Sequence, residues 1–190
     1  EADPFVKISV EDVVVNSHLI GLYNATNITA AITIGKFFKV SLNDVKTAIE
    51  NYVPANNRSQ LLVKGTNEII LDAYNANPSS MMVALENFIQ LNKADKAIVI
   101  GDMFELGDSS SEEHAALGKL IAGLSFEKVL LVGQHMQHAL IYLPSAYYFP
   151  DKFGLHIWLQ DHPIQDSFLL VKGSRGIQLE SVLAFLENSK

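Results

Sequence analysis

Within Asp72-Ala73-Tyr74-Asn75-Ala76-Asn77-Pro78, a carboxylate, a phenol and two amides are gathered into six residues. An apolar run, Glu68-Ile69-Ile70-Leu71, comes before them, and Met82, Leu85, Phe88 and Ile89 follow at helical spacing. That order predicts a strand, a polar loop and a helix. Asn77 is a good N-cap, and Pro78 suits a first helical turn, where a missing N–H costs nothing. The end of such a helix offers N–H groups and the positive end of a dipole to an anion. A single Asn-Pro reads most simply as a capped turn, but four polar groups at one strand end favour a binding site. A second cluster, Lys172-Gly173-Ser174-Arg175, sets two cations and a hydroxyl in a glycine-containing loop. Lys and Arg together suit a carboxylate or phosphate, which Arg can grip through two oxygens; a solvated loop is the plain alternative.

The remaining polar groups promise less. In Gly101-Asp102-Met103-Phe104-Glu105-Leu106-Gly107 the apolar side chains suggest loop packing, and two carboxylates alone are a weak metal signal. His135 and His138 lie three apart with no third ligand in view, and His114 reads as a surface or loop-packing residue. No Ser/His/Asp arrangement is legible. Neither a catalytic residue nor a metal site is assigned.

The elements that must position these groups fall into two stretches. Residues 5–17 alternate as two short strands, a hairpin through Glu11-Asp12. A helix is predicted at 28–38 and a second after Ser41, where Asp44 completes a capping pattern and Leu42, Val45, Ala48, Ile49 and Tyr52 recur at helical spacing. Pro54-Ala55-Asn56-Asn57 then breaks the periodicity, and a domain boundary is placed there, giving domains 1–53 and 54–190. Beyond it, strands are predicted at 59–64, 68–73, 97–101, 128–132 and 167–172, with helices at 78–91, 111–123, 134–141 and 178–188. The first two strands form a hairpin through Gly65-Thr66-Asn67. This is the α/β pattern of a Rossmann-like, mainly parallel sheet with helices on both faces. Ligands meet such sheets at the carboxyl ends of the strands, where Asp72, Gly101-Asp102, Gly133 and Lys172-Gly173 all fall.

Bulk properties exclude other classes. Hydrophobic content of 48% with 18% charged residues fits a folded domain of this 190-residue length. A formal net charge of -7 argues against nucleic-acid or anionic-membrane partners. No apolar run approaches the ~18–20 residues of a membrane span. The absence of cysteine removes disulfides, thiolate catalysis and cysteine–metal sites. Glu1-Ala2-Asp3-Pro4 carries neither Met nor a signal segment and reads as an internal start.

Asp72-x-Tyr74-Asn75-Ala76-Asn77-Pro78 resembles a signature of the Mur ligases, the ATP-dependent amide ligases of peptidoglycan synthesis. The likeness is to the branch that adds D-alanyl-D-alanine to UDP-N-acetylmuramoyl-tripeptide. Four further segments agree in order: Gly21 to Asn27 followed by Ala30-Ala31, Asn57-Arg58, Gly101 to Gly107, and Lys172 to Arg175. The likeness covers most of the chain, with the first ~15 residues and residues 140–165 weakly marked. It implies that Asn24, Asn27, Arg58, Asp72 and Tyr74 bind ATP, with Asn27 at the adenine edge and Arg58 and Asp72 flanking ribose and phosphates. By spacing alone, Asn24 or Asn27 could simply cap the helix at 28–38, and Arg58 could be an exposed linker charge. The resemblance likewise implies that Asn75, Asn77, Lys172, Ser174 and Arg175 bind D-alanyl-D-alanine.

The family's Gly-Lys-Thr/Ser phosphate loop is absent, since Gly35-Lys36 is followed by Phe37 and Gly118-Lys119 by Leu120. By resemblance, residues 1–53 are then the tail of an ATP-binding domain and 54–190 a C-terminal ligase domain. The implied cofactors are ATP and Mg2+, with the metal ligands mostly upstream. The implied partners are UDP-N-acetylmuramoyl-tripeptide and D-alanyl-D-alanine, with a monomeric, cytoplasmic whole protein and an isolated fragment that is inactive. In the implied reaction the acceptor's carboxylate is phosphorylated and the dipeptide amine attacks the acyl phosphate. Another Mur-type or folylpolyglutamate ligase, or a non-catalytic peptide-binding module, is the alternative. Without their missing partner strands, residues 1–53 are expected to be less ordered or to self-associate.

Overall fold

The computed structural model describes residues 2–186, and the chain divides into two compact units, the first ending at Ala55 and the second beginning at Asn56. In the first, β1 (Phe5–Val10) and β2 (Val13–Ile20) pair antiparallel, with Glu11 in the left-handed region at φ 51° to close the turn. The hairpin is the expected one, but β2 runs on to Ile20. Helix α1 spans Asn24–Phe37 and α2 spans Leu42–Asn51. Val6, Val15, Ile28, Ile32 and Val45 form this unit's core. At Gly35 the two helices come so close that a Cβ would stand 2.6 Å from Val45 Cγ2. Ser41 caps α2 as expected, its hydroxyl accepting from Asp44 N–H at 3.2 Å. Helix α1 begins four residues earlier than the apolar spacing suggested. That spacing marks the buried stripe, whereas the polar turn at its head, Asn24 to Asn27, follows different rules. Ile34, Phe37 and Phe38 remain exposed on this unit.

The second unit is one six-stranded sheet. Its strands are β3 (Gln60–Lys64), β4 (Asn67–Asp72), β5 (Lys96–Gly101), β6 (Lys128–Val132), β7 (Tyr147–Phe149) and β8 (Phe168–Lys172), in the order β3-β4-β8-β5-β6-β7. Only β3 against β4 is antiparallel; every other pair is parallel. Strand alternation sorts the side chains to two faces, both buried. Ile69, Leu71, Val99, Leu130, Val132, Leu169 and Val171 pack under α5 (Lys152–Asp161) and a 3₁₀ segment at Leu179–Phe185. On the other face Phe88 of α3 (Pro78–Gln90) stacks on Phe168 with ring centroids 5.0 Å apart. Helix α4 (Ser110–Ala122) lies beside α3.

Several expectations change. Residues 135–139 form a 3₁₀ turn rather than an α-helix, as does 179–185 in place of the helix at 178–188, whose residues 187 and 188 lie outside those described. Strand β7 and helix α5 were not anticipated. At three residues β7 is too short to show alternation. In α5, Leu155 and Leu159 are buried while Phe153 and Ile157 face out, so apolar residues on both sides blur the stripe. Asn67 belongs to β4 rather than the turn, and its buried amide donates to Ile164 O and accepts from Ser167 N–H.

Candidate functional site at the carboxyl ends of the strands

Register builds the centre of the site. β4 and β8 are parallel neighbours in which Asp72 lies directly opposite Lys172, so both side chains leave the same face at the strand ends. Lys172 Nζ donates to Asp72 Oδ2 at 2.6 Å and to Asn75 O at 3.2 Å. Lys172 is only 2% exposed, a position an ammonium tolerates only when paired. Asp72 Oδ1 accepts from Ser59 N–H at 3.1 Å and from the Ser59 hydroxyl at 3.4 Å. One ion pair thus fixes three segments: the start of β3, the polar loop after β4, and the end of β8. Lys172 is turned inward, toward Asp72 and Asn75, rather than outward toward a ligand.

Tyr74 stands two residues past Asp72, half-buried. Arg58 Cζ lies 3.8 Å from its ring centroid and Arg175 Cζ lies 5.2 Å from it. Both arginines are exposed, and among the described residues neither has an acidic partner. Stacking on the ring accounts for their placement; their N–H groups remain available.

The third wall is a rigid loop assembly after β5 and β6. Ser174 N–H donates to Asp102 O at 3.0 Å, and the buried Ser174 hydroxyl accepts from Phe104 N–H at 2.9 Å. That hydroxyl ties the loop after β8 to the loop after β5. Phe104 packs on Gly176, where a Cβ would lie 2.6 Å from its ring. Asp102 is buried, and its Oδ1 accepts from Met136 N–H at 2.9 Å. Gly133 makes room for it: φ is 119°, and a Cβ there would stand 2.3 Å from Asp102 Cγ. His114, expected as a surface or loop-packing residue, is fully buried and takes the second role. Its Nε2 accepts from Met103 N–H at 3.0 Å, and its Nδ1 lies 2.6 Å from Ser110 O, so the hydrogen-bond pattern assigns the neutral ring with its proton on Nδ1. Burial pushes its pKa down, which favours that neutral form. The Ser110–His114 spacing of four on a helix was the signal that could have revealed this role. Among the described residues, no three His, Asp or Glu side chains stand together as metal ligands.

The head of α3 satisfies much of its own hydrogen bonding. Asn77 caps it, accepting from Ser80 N–H at 2.9 Å, while Met81 N–H donates to Asn77 O and Pro78 has no N–H. Little of the expected donor array is left for an anion. Asn75 and Asn77 themselves are exposed. In the first unit, Asn24 is the first residue of α1 and caps nothing; its amide donates to Ile20 O at 2.8 Å. Asn27, also inside the helix, donates to Asn24 Oδ1 at 2.9 Å. The buried Asn24 is therefore an anchor, and Asn27 is the exposed amide it orients.

The family profile described as Mur ligase, glutamate ligase domain, matches residues 57–175. A crystal structure of MurF from Acinetobacter baumannii superposes with a TM-score of 0.80 at 34% identity, covering 93% of this chain and 40% of that one. The UDP-N-acetylmuramoyl-tripeptide–D-alanyl-D-alanine ligase of Rickettsia prowazekii is 32% identical over 133 residues, 68% of this chain and 30% of its own length. The enzyme of that name from Treponema pallidum is 28% identical over 176 residues, 90% of this chain and 38% of its own. The chain thus spans well under half the length of the relatives it matches.

Proposed function

The chain belongs to the Mur ligase family, and from that premise we propose that it supplies the C-terminal part of an ATP-dependent ligase that joins D-alanyl-D-alanine to UDP-N-acetylmuramoyl-tripeptide. The observation that carries the proposal is the convergence of two loops, 72–77 and 172–175, on adjacent strand ends. There both of the chain's guanidiniums are left without an acidic partner among the described residues. The relatives reported above carry the name of this ligase, which supports this reaction among those of the family.

In this reading ATP supplies the phosphoryl group that activates the acceptor's carboxylate. The residues of this chain bind and orient. Asn27 presents its exposed amide to the adenine, held in place by Asn24. Arg58, Asp72 and Tyr74 line the nucleotide side, Asp72 acting chiefly by fixing Ser59 and hence the base of Arg58. Asn75 and Asn77 offer amide N–H donors to the carboxylate of the zwitterionic dipeptide, their side-chain oxygens already accepting from Ala76 N–H and from Ser79 and Ser80. Lys172 and Ser174 hold the last loop in shape, and Arg175 is the cation of that loop free to meet an anion. Catalysis by such a surface rests on positioning and charge neutralisation. Mg2+ is proposed with ATP by resemblance alone. A cytoplasmic, monomeric whole protein is the matching expectation, and no helix among the described residues is long and apolar enough to cross a membrane.

The test is amide formation. The 190-residue chain alone should form no product from ATP, tripeptide and dipeptide. Fused behind the upstream part of the Acinetobacter baumannii enzyme, it should form the pentapeptide product. Ligation by the chain alone, or a folded but inert fusion, would sink the proposal.

A further inference from the structure

The sequence contains only two arginines, Arg58 and Arg175, separated by more than a hundred residues. Both guanidiniums lie over one ring, that of Tyr74. Distances of 3.8 and 5.2 Å to a common centroid keep the two Cζ atoms within about 9 Å of each other. Two like charges held that close, in a chain of net charge -7, would ordinarily recruit carboxylates. None of the described acidic residues pairs with either one. The carboxylate nearest Tyr74 in sequence, Asp72, is already taken by Lys172 and Ser59.

The backbone on both sides is fixed independently of any ligand. Ser59 N–H on Asp72 sets the base of Arg58. Ser174, bonded to Asp102 O and Phe104 N–H, sets the base of Arg175. We infer that Arg58, Tyr74 and Arg175 form a single cradle for one phosphoryl group, with Tyr74 as the positioning residue that holds both guanidiniums toward it. Charge chooses the ligand. Two guanidiniums bring two positive charges, which a phosphoryl dianion with three terminal oxygens matches better than the single charge of a carboxylate. Arg175 then serves the phosphoryl group rather than the carboxylate of the dipeptide. The source is either a nucleotide phosphate or the phosphorylated carboxyl of the acceptor, an assignment that rests on the ligase reading above.

Two arginines give two Nε–Hε signals, so nitrogen-15 NMR of the whole chain reads the cradle directly. The probes are inorganic phosphate, acetyl phosphate, ADP and D-alanyl-D-alanine at low ionic strength. Both signals should move together with one midpoint for the phosphate-bearing probes, and the dipeptide should need at least about tenfold more to match them. Tighter binding of acetyl phosphate than ADP assigns the source to the phosphorylated carboxyl, and the reverse order to the nucleotide. R175Q should raise the midpoint read at Arg58 by about tenfold, and R58Q should do the same at Arg175. Y74L should raise both, and Y74F should leave both in place. Since R58Q and R175Q alter exposed side chains, they keep the test sound if Y74L does not fold. Separate midpoints, an Arg58 signal indifferent to R175Q, equal response to the dipeptide, or no response to any probe would each overturn the cradle. A fusion that still ligates in that event would leave the ligase reading standing.

Discussion

Replacing Lys172 with Met removes one partner of the ion pair at the centre of the site. Taking one member from a buried pair costs about 3–5 kcal/mol when the other is left fully desolvated. Here the Asp72 side chain keeps 18% of its exposure and retains the Ser59 N–H, so part of its charge remains solvated. The expected loss is therefore about 2–3 kcal/mol, below the full penalty. At a urea slope of about 1–3 kcal/mol/M, the unfolding midpoint should fall by about 0.7–3 M. Trp158, the only tryptophan, packs against Tyr147 and Phe149 in this same unit, so its fluorescence follows the relevant transition. The double substitution D72N/K172M should recover part of the loss, because the orphaned charge is gone. A K172M midpoint within about 0.5 kcal/mol of the parent's stability, or a double variant no better than the single, would refute the reasoning.

Acid should weaken the second unit through His114. Its folded pKa lies below the ordinary 6.5, so the unfolded chain takes the proton first. The contribution is whole above about pH 6.5 and is lost as pH falls from there toward the folded value. Burial and Lys152 lower His156 in the same direction, so H114Q should flatten, not abolish, the fall in urea midpoint across that window. G133A should cost at least about 3 kcal/mol or prevent folding, from positive φ and the clash with Asp102, as circular dichroism melts would show. N77A removes the cap of α3 and should cost about 1 kcal/mol in urea unfolding.

The strand ends were legible from the sequence because they carry their own punctuation. Short apolar runs ending in Asp72, Gly101-Asp102, Gly133 and Lys172-Gly173 place these groups at one edge of a parallel sheet. Asn77-Pro78 and Ser41-x-x-Asp44 announced their helices for the same local reason. What failed was whatever depends on partners distant in sequence. Lys172 read as a ligand cation because nothing local says that register sets it opposite Asp72, a hundred residues away. The convergence of Arg58 and Arg175 on Tyr74 is the same kind of fact, visible only once β4 and β8 are side by side. Helix α5 was missed for a different reason: Phe153 and Ile157 on its solvent face blur the stripe of Leu155 and Leu159.

The most direct test of the ligase assignment is the choice of incoming substrate. The fusion with the upstream part of the Acinetobacter baumannii enzyme is given ATP, UDP-N-acetylmuramoyl-tripeptide and an equal mixture of D-alanyl-D-alanine, D-glutamate and meso-diaminopimelate. Mass spectrometry of the product should show the increment of D-alanyl-D-alanine alone. An increment from either of the other two, formed in preference, would contradict the ligase assignment and the placing of Asn75 and Asn77 against that dipeptide.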